Sequence, residues 1–392
     1  MDRLELDALL TSEALTLLDT VASADDVVRS VSKLRSQGHS PAVVSAVLGQ
    51  VALRRKAADK FGPFAATMLF SASGLEMATR LTVGSHHAGR FVSAGIKSVA
   101  DIGCGIGGDS LAFAGAGLRV TAIDSDPVTA ALAAYNLQPF PDVTVVHGGL
   151  DNVPWDTVEG LWFDPARRTG ATRQSRPEEW SPSLDVVFQH AKTHPSGIKL
   201  APGMDRDVIP EGMEAQWVSY KGSVVEMVLW SGSLTRPGVT RSALVLHDGR
   251  AVEFTGPADS PDAPVGDLRE YVIEPDGAVI RARLIGDLAR THDAHMVDSS
   301  IAYMTASQPA HSPLAQSFRV LETTPFTLKN VKTLVAAAQL GTLEIKKRGV
   351  DIDPAQLRTQ LPLKGSGSGV LIVTRLRGQK TAILAERVTS EV

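Results

Sequence analysis

The spacing of apolar positions changes along the chain. Over residues 1–97 the apolar residues recur at helical intervals. Val43, Val44, Val47, Leu48, Val51 and Ala52 form one stripe at about 3.6 residues per turn. Ser40 and Pro41 precede that stripe and predict an N-cap followed by a first-turn proline. Ser23 with Asp26 predicts the opening of an earlier helix, and Gly38 its close. Ser73 and Glu76 have the spacing of a capping box. No strand is expected in this region.

From residue 98 the pattern alternates. Strands are expected at Ser98–Ile102, Arg119–Asp124, Val143–His147, Gly160–Asp164 and Gly197–Ala201, with helices at Ser110–Ala116, Pro127–Leu137 and Pro182–Lys192. Strands alternating with helices predict a parallel sheet. Two further strands, Ala215–Tyr220 and Val224–Trp230, are joined by Lys221-Gly222-Ser223, a hairpin connection that makes one of them antiparallel to the rest. Asp248-Gly249 centres a second hairpin over 241–256, and residues 257–267 read as a linker. Beyond them, helices are expected at Gly277–Ala289 and Lys329–Ala338. Strands are expected at Ser317–Leu321, Thr342–Lys346, Val370–Thr374 and Thr381–Arg387, and Gly365–Gly369 reads as a flexible loop. The expected organisation is therefore a helical domain (1–97), an α/β domain (98–235), a hairpin and linker (236–270) and a second α/β domain (271–392).

Composition narrows the chemistry. A length of 392 residues suits two or three domains of roughly 100–200 residues each. Aromatic content is only 5%, so the cores must be largely aliphatic. No apolar run approaches the ~18 residues of a membrane span, and Met1 to Glu5 lacks the basic start of a signal peptide. The single cysteine, Cys104, excludes an internal disulfide, a Cys-based zinc site and Cys-ligated iron–sulfur chemistry. A cytoplasmic protein without metal or membrane partner is expected; the oligomeric state is left open. Net charge is −4, but residues 99–240 hold 10 Lys and Arg against 17 Asp and Glu, while 270–392 hold 15 against 12. That distribution suits a polyanion gripped by the flanks, or ordinary solvated faces.

The chemistry-bearing motif is Asp101-Ile102-Gly103-Cys104-Gly105-Ile106-Gly107-Gly108. Glycines are needed where a strand turns tightly into a helix and its backbone lies against a ligand. Such a pattern also serves nicotinamide and flavin sites. Asp101, two residues before the first glycine, would repel a pyrophosphate but suits a cationic amino-acid group. Asp124 ends the next strand, about 20 residues on, where a carboxylate binds ribose hydroxyls. Asp151 follows the third strand, within reach of an adenine amine. This arrangement resembles the class I S-adenosylmethionine-dependent methyltransferases, with a Rossmann-like seven-stranded sheet, and residues 98–232 fit the resemblance throughout. It implies S-adenosyl-L-methionine as cofactor. The implied cofactor residues are Asp101, Gly103, Cys104, Gly105, Gly108, Asp124, Ser125 and Asp151, with Cys104 read chiefly as a small apolar residue in a tight turn.

Phe163-Asp164-Pro165-Ala166-Arg167-Arg168 ends the fourth strand. Methyltransferases acting on nucleobase amines place an Asn/Asp/Ser-Pro-Pro-aromatic motif there. Asp164 and Pro165 resemble its first half, whereas Ala166 and Arg167 replace the second proline and the aromatic. The resemblance implies Asp164 as hydrogen-bond or proton acceptor, and Arg167 and Arg168 as groups orienting a phosphate or a base edge. The alternative is a turn whose arginines pair with local carboxylates. Methylation at pyrimidine carbon-5 needs a Cys nucleophile near this strand, and none is there.

The flanks carry two further resemblances. Lys56 to Gly62, Met68 to Ser71, Gly74 to Glu76, Phe91 and Gly107-Gly108 resemble trimethylguanosine synthase-type enzymes, which methylate a guanine amine in RNA. Phe163 to Arg168, Glu274 to Arg281, Pro325-Phe326 and Leu343 to Gly349 resemble a bacterial, mostly actinobacterial, methyltransferase family with a C-terminal THUMP-like α/β domain. That resemblance implies an RNA acceptor. Lys346, Lys347 and Arg348 could grip phosphates, with Lys329 and Lys332 extending a basic face, or form a solvated charge run. His86-His87 is expected at the surface. The favoured expectation is methylation of a base nitrogen in RNA, guanine amine first. The alternatives are a small-molecule or protein acceptor, and an RNA-binding protein that retains the cofactor without turnover.

Overall fold

The computed structural model describes residues 1–22, 34, 36–165, 168–169, 172–173, 179–258 and 260–389, with only the backbone of 22, 168–169 and 172–173. The helix expected to open at Ser23 lies largely outside these residues. The chain forms two compact units. The first comprises Met1–Leu200 and Leu229–Thr235; the second comprises Ala201–Val228 and Arg236–Val392.

The first unit begins with helices α1 (Arg3–Leu9), α2 (Ser12–Ala22) and α3 (Pro41–Phe61). Ser40 Oγ accepts the Val43 N–H at 3.3 Å, so the expected cap is in place. Helix α4 (Ala72–Met77) is capped by Ser71 rather than Ser73. Ser71 Oγ takes the Gly74 N–H, and Ser73 falls inside the first turn, so the cap lies two residues before the expected capping box. Helix α5 (Leu81–Ser93) leads into the sheet.

That sheet contains β1 (Ser98–Ile102), β2 (Arg119–Asp124), β3 (Val143–His147), β4 (Gly160–Phe163) and, after a short ladder of β5 (Arg168–Thr169) on β6 (Thr172–Arg173), β7 (Ser196–Leu200). Their order is β7-β4-β1-β2-β3 and all the pairings are parallel. The crossovers are α6 (Gly108–Gly115), α7 (Pro127–Leu137) and α8 (Leu184–Ala191). On one sheet face Trp162 and Trp230 pack 5.8 Å apart, with Phe91 and Phe113 edge-on. Gly197 lies beneath both indoles: a Cβ there would come within 2.5 Å of Trp162 and 2.8 Å of Trp230.

Two buried amides hold the segment Leu69–Phe70, one from the helical cap and one from the α/β layer. Gln50 on α3 receives the Phe70 N–H at 2.9 Å and donates to the Phe70 carbonyl at 2.7 Å. Asn136 on α7 does the same for Leu69 and also donates to the Ile106 carbonyl. Each amide mimics one rung of a β-ladder, so an extended segment is held without a strand partner.

The second unit starts with β8 (Glu214–Tyr220), which turns into β9 (Ser223–Trp230) through Lys221 and Gly222. Both turn residues have positive φ, the backbone of a type I′ hairpin. The first residues of β9 lie beside β8, and its last residues belong to the first unit, beside β7. The hairpin β10 (Arg241–His247) and β11 (Arg250–Gly256) turns at Asp248-Gly249 and extends the strand order as β11-β10-β8. A separate seven-stranded sheet follows, ordered β13-β14-β12-β15-β18-β17-β16. Its strands are β12 (Tyr271–Pro275), β13 (His295–Asp298), β14 (Ile301–Ala306), β15 (Ala315–Pro325), β16 (Leu340–Lys347), β17 (Gly367–Leu376) and β18 (Gln379–Arg387). Leu371, Val373 and Leu384 face one core with Val331, Leu334 and Val335. Val370, Ile372 and Ile383 face the other with Val272 and Phe318. The single helix expected over Gly277–Ala289 is two, α9 (Gly277–Arg281) and α10 (Ile285–Thr291), because Arg283 adopts φ +61° between them. Helices α11 (Leu328–Ala337) and α12 (Pro354–Thr359) complete the unit.

Gly197→Ala is expected to destabilise the protein by about 1–3 kcal/mol through overpacking of the two indoles. Gly89→Ala, mid-helix with open space around it, should stabilise it by about 0.5–1 kcal/mol. Urea unfolding of both variants checks this pair of opposite signs.

Candidate active site

Strands β1 and β4 are neighbours in register, Ile102 opposite Phe163, so the segments leaving them start side by side. The Asp164 N–H donates to the Ile102 carbonyl at 3.0 Å. Gly103, at φ +85°, passes so close to the fourth strand's end that a Cβ would lie 2.4 Å from the Asp164 carbonyl oxygen. The glycine here is required by contact as well as by conformation. Gly103 and Cys104 both donate to the Ile123 carbonyl, at 2.9 and 3.0 Å, and Gly107 in the left-handed region leads into α6. Gly105, at φ +57°, has open space where a Cβ would stand. Gly108 abuts the Thr79 backbone.

The acidic residues differ in their commitments. Asp101 is fully buried; Ser110 Oγ donates to its Oδ2 at 2.5 Å, while Oδ1 has no hydrogen-bond partner. Burial, then the neighbouring Asp109 charge, pushes its carboxyl well above the ordinary range. Asp124 accepts the Gly105 N–H and the Asp126 N–H, each at 2.9 Å, and so ties the glycine loop to the second strand. Burial raises its pKa too. Ser125 is exposed, and its carbonyl accepts from His147 Nε2 at 3.1 Å. Asp151 is exposed in a short turn after β3. Cys104 is buried, and burial with the nearby Asp101 and Asp124 charges pushes its thiol up. It is a packing residue of the loop and not a thiolate.

Pro165 is buried after Asp164. Arg167 lies outside the described residues, as does the side chain of Arg168. The structure adds partners that sequence reading missed. Lys199, on β7, donates to Asp164 Oδ2 at 2.8 Å and to Thr79 Oγ1 at 2.7 Å. Thr79 donates to Asp109 Oδ2 at 2.6 Å, and His87 Nδ1 meets Asp109 Oδ1 at 2.8 Å. His87 is thus buried, not at the surface as expected, because it faces the sheet from α5 and packs on Trp162 with centroids 4.4 Å apart. A lone charge inside the apolar run Gly197-Ile198-Lys199-Leu200 was the signal for Lys199.

In the second unit Lys346 and Arg348 are half-buried against distant strands, whereas Lys347 is exposed. Lys346 pairs with Glu274 at 2.8 Å and lies over the Phe318 ring. Lys347 donates to the Ile352 carbonyl, and Arg348 donates to the Ala302 carbonyl and covers Tyr303. Lys329 and Lys332 are exposed on α11. Among the described residues no group of three or more His, Cys, Asp or Glu side chains could hold a metal, and no helix is long and apolar enough to cross a membrane.

Asp109 carries a pH signature. Burial alone would raise its carboxyl, but Lys199 and the His87 and Thr79 hydrogen bonds outweigh it and hold the pKa at about 2, below the ordinary 3.8. Its contribution is therefore present above pH 3.8 and lost as pH falls towards 2. Asp109→Asn should cost roughly 2 kcal/mol at pH 7, and its gap from wild type should close between pH 4 and pH 2 in urea titrations.

Comparison with known proteins agrees with this geometry. Residues 315–387 match the model of a THUMP domain-like family, and residues 2–57 match a domain of unknown function (DUF8688). Two uncharacterised S-adenosylmethionine-dependent methyltransferases of Mycobacterium tuberculosis, from strains CDC 1551 / Oshkosh and ATCC 25618 / H37Rv, are each 32% identical over 335 residues. The alignment covers 83% of this chain and 90% of each relative. A crystal structure of a methyltransferase candidate from Porphyromonas gingivalis W83 superposes with a TM-score of 0.78 at 20% identity, covering 96% of this chain and 98% of that one, and shows the fold. With the parallel sheet, the glycine loop and these relatives in view, the chain belongs to the S-adenosylmethionine-dependent methyltransferases.

Proposed function

We propose that this methyltransferase modifies RNA at a base nitrogen, with a guanine amine as the first candidate. The observation that carries the reading is the contact of the glycine loop with the Asp164 backbone. A donor held on that loop lies beside the Asp164-Pro165 pair that directly follows the fourth strand. The THUMP-like region favours RNA as the acceptor, by analogy with domains that bind RNA. The single cysteine, buried in the glycine loop, speaks against pyrimidine carbon-5 chemistry and suits a cytoplasmic setting.

The residues fit the cofactor. Asp101 Oδ1 is a buried acceptor without a donor, and a cationic amino group would supply one and bring the carboxyl back to its charged form. Open space at Gly105 lets a ligand approach the backbone. Asp124 would take the ribose hydroxyls, with Ser125 and Asp151 towards the adenine. The bound cofactor supplies a methyl group already activated by its sulfonium. The protein's task is then alignment and removal of one proton. Asp164 accepts the N–H of the incoming amine. Once that methyl group is supplied to the acceptor nitrogen, Asp164 would take the proton the nitrogen gives up and pass it to water. A methylated nucleobase amine is a strong acid before it loses that proton, so a carboxylate already paired with Lys199 is basic enough. Arg167 and Arg168 would orient the base or its phosphate, and the base must be unstacked to enter. Within this reading residues 1–97 cap the site, 98–235 hold the donor, 236–270 connect, and 271–392 engage RNA. The exposed Lys329 and Lys332 are better placed to meet phosphates than the inward Lys346 and Arg348.

The test is transfer of labelled methyl groups to total RNA from a strain lacking the gene. Wild type should label RNA, and Asp164→Ala should lose about 100-fold or more of the rate. Label entering protein or small molecules instead would contradict the RNA reading.

A further inference from the structure

The register of β4 on β7 runs Leu161–Ser196, Trp162–Gly197, Phe163–Ile198. One step further it brings Asp164 beside Lys199, where their side chains form the 2.8 Å ion pair. Lys199 sits between buried Ile198 and Leu200, and its side chain is only 14% exposed. An ammonium so placed is costly unless its N–H groups are matched, and apolar residues of similar volume often stabilise such a site better. Here the N–H groups reach Asp164 and Thr79, with Asp109 Oδ2 3.8 Å away. Thr79 and His87 in turn fix Asp109 at the start of α6, directly after the glycine loop. Lys60 donates to the carbonyls of Leu75, Glu76 and Ala78 at 2.7–2.8 Å, which pins the turn that presents Thr79. The result is a nearly buried chain of hydrogen bonds from the helical cap, through the donor loop, to the carboxylate at the reaction site.

We propose that Lys199 is a positioning residue for methyl transfer, fixing Asp164 Oδ2 and keeping that carboxylate charged so that it can receive the acceptor's N–H. The inference rests on Asp164 as the acceptor-binding group. Among the described residues the charged groups on the elements around Asp164 also include Asp101 on β1, Asp124 on β2 and Asp109 on α6, with Lys60 on α3 and His87 on α5 further along the network. Withdrawing the Lys199 cation removes a positive charge in direct contact with Asp164, and the carboxyl's affinity for a proton must rise.

The experiment compares wild type with Lys199→Met and Lys199→Arg. Carboxyl carbon NMR of aspartate-labelled protein, assigned with Asp164→Asn, follows the Asp164 titration. Labelled transfer to total RNA gives kcat, KM and their pH profiles, and calorimetry gives S-adenosylmethionine affinity. In Lys199→Met, the Asp164 titration and the acid limb of kcat should both move up by about one pH unit or more. At neutral pH kcat should fall about 10-fold to 100-fold, with RNA KM and cofactor affinity little changed. Lys199→Arg should restore most of both. An Asp164 titration unmoved in a folded Lys199→Met protein overturns the inference, as does a kcat equal to wild type. Should the titration move while wild type transfers nothing to RNA, the RNA reading falls and the control of Asp164 by Lys199 stands.

Discussion

Everything at the site depends on one steric constraint: a residue without a side chain must pass the end of the fourth strand at Gly103. The Asp164 carbonyl oxygen fills the volume where a Cβ would stand. Two parallel strands in register release their chains at the same level. One chain turns into the glycine loop and the other into the Asp-Pro segment. Because the two touch through backbone atoms, the glycine loop and the Asp-Pro segment are set by the sheet and not by flexible side chains. Asp124 adds the second strand to the same arrangement by accepting from the Gly105 N–H.

Around that contact the protein spends buried polar groups freely. Gln50 and Asn136 hold Phe70 and Leu69 by their own backbone, and Asn136 also reaches the glycine loop at Ile106. Gly74 packs on the Ile106 side chain so closely that a Cβ would meet it at 2.6 Å. The helical cap is therefore packed directly against the glycine loop and is not a separate decoration. Buried, fully matched amides specify one arrangement more sharply than apolar contacts do, because a shifted register would leave them unpaired.

Much of this was legible in the sequence. The strands of the first sheet lie within a residue of their expected bounds, because short apolar runs followed by glycines or acidic residues leave little choice of register. Both hairpins followed from Lys221-Gly222 and Asp248-Gly249. What stayed hidden was pairing across long separations. Nothing local says that Lys199 meets Thr79, 120 residues away, or that His87 turns to Asp109 instead of solvent. The break at Arg283 was invisible because its positive φ falls on a residue with no preference for it. The triad Lys346 to Arg348 read as a surface run because its partners, Glu274, Tyr303 and Phe318, come from distant strands. The strands β12, β13 and β14 were missed because short apolar runs carry no period that separates strand from buried helix.

The most direct measurement is a crystal structure of the complex with S-adenosylhomocysteine, the product left after methyl transfer. The expected result places its amino-acid end on Gly103–Gly107 near Asp101, its ribose at Asp124, and its sulfur facing Asp164. A ligand bound away from the Gly103–Asp164 contact, or with its sulfur turned from Asp164, would contradict the coupling of donor loop and reaction site.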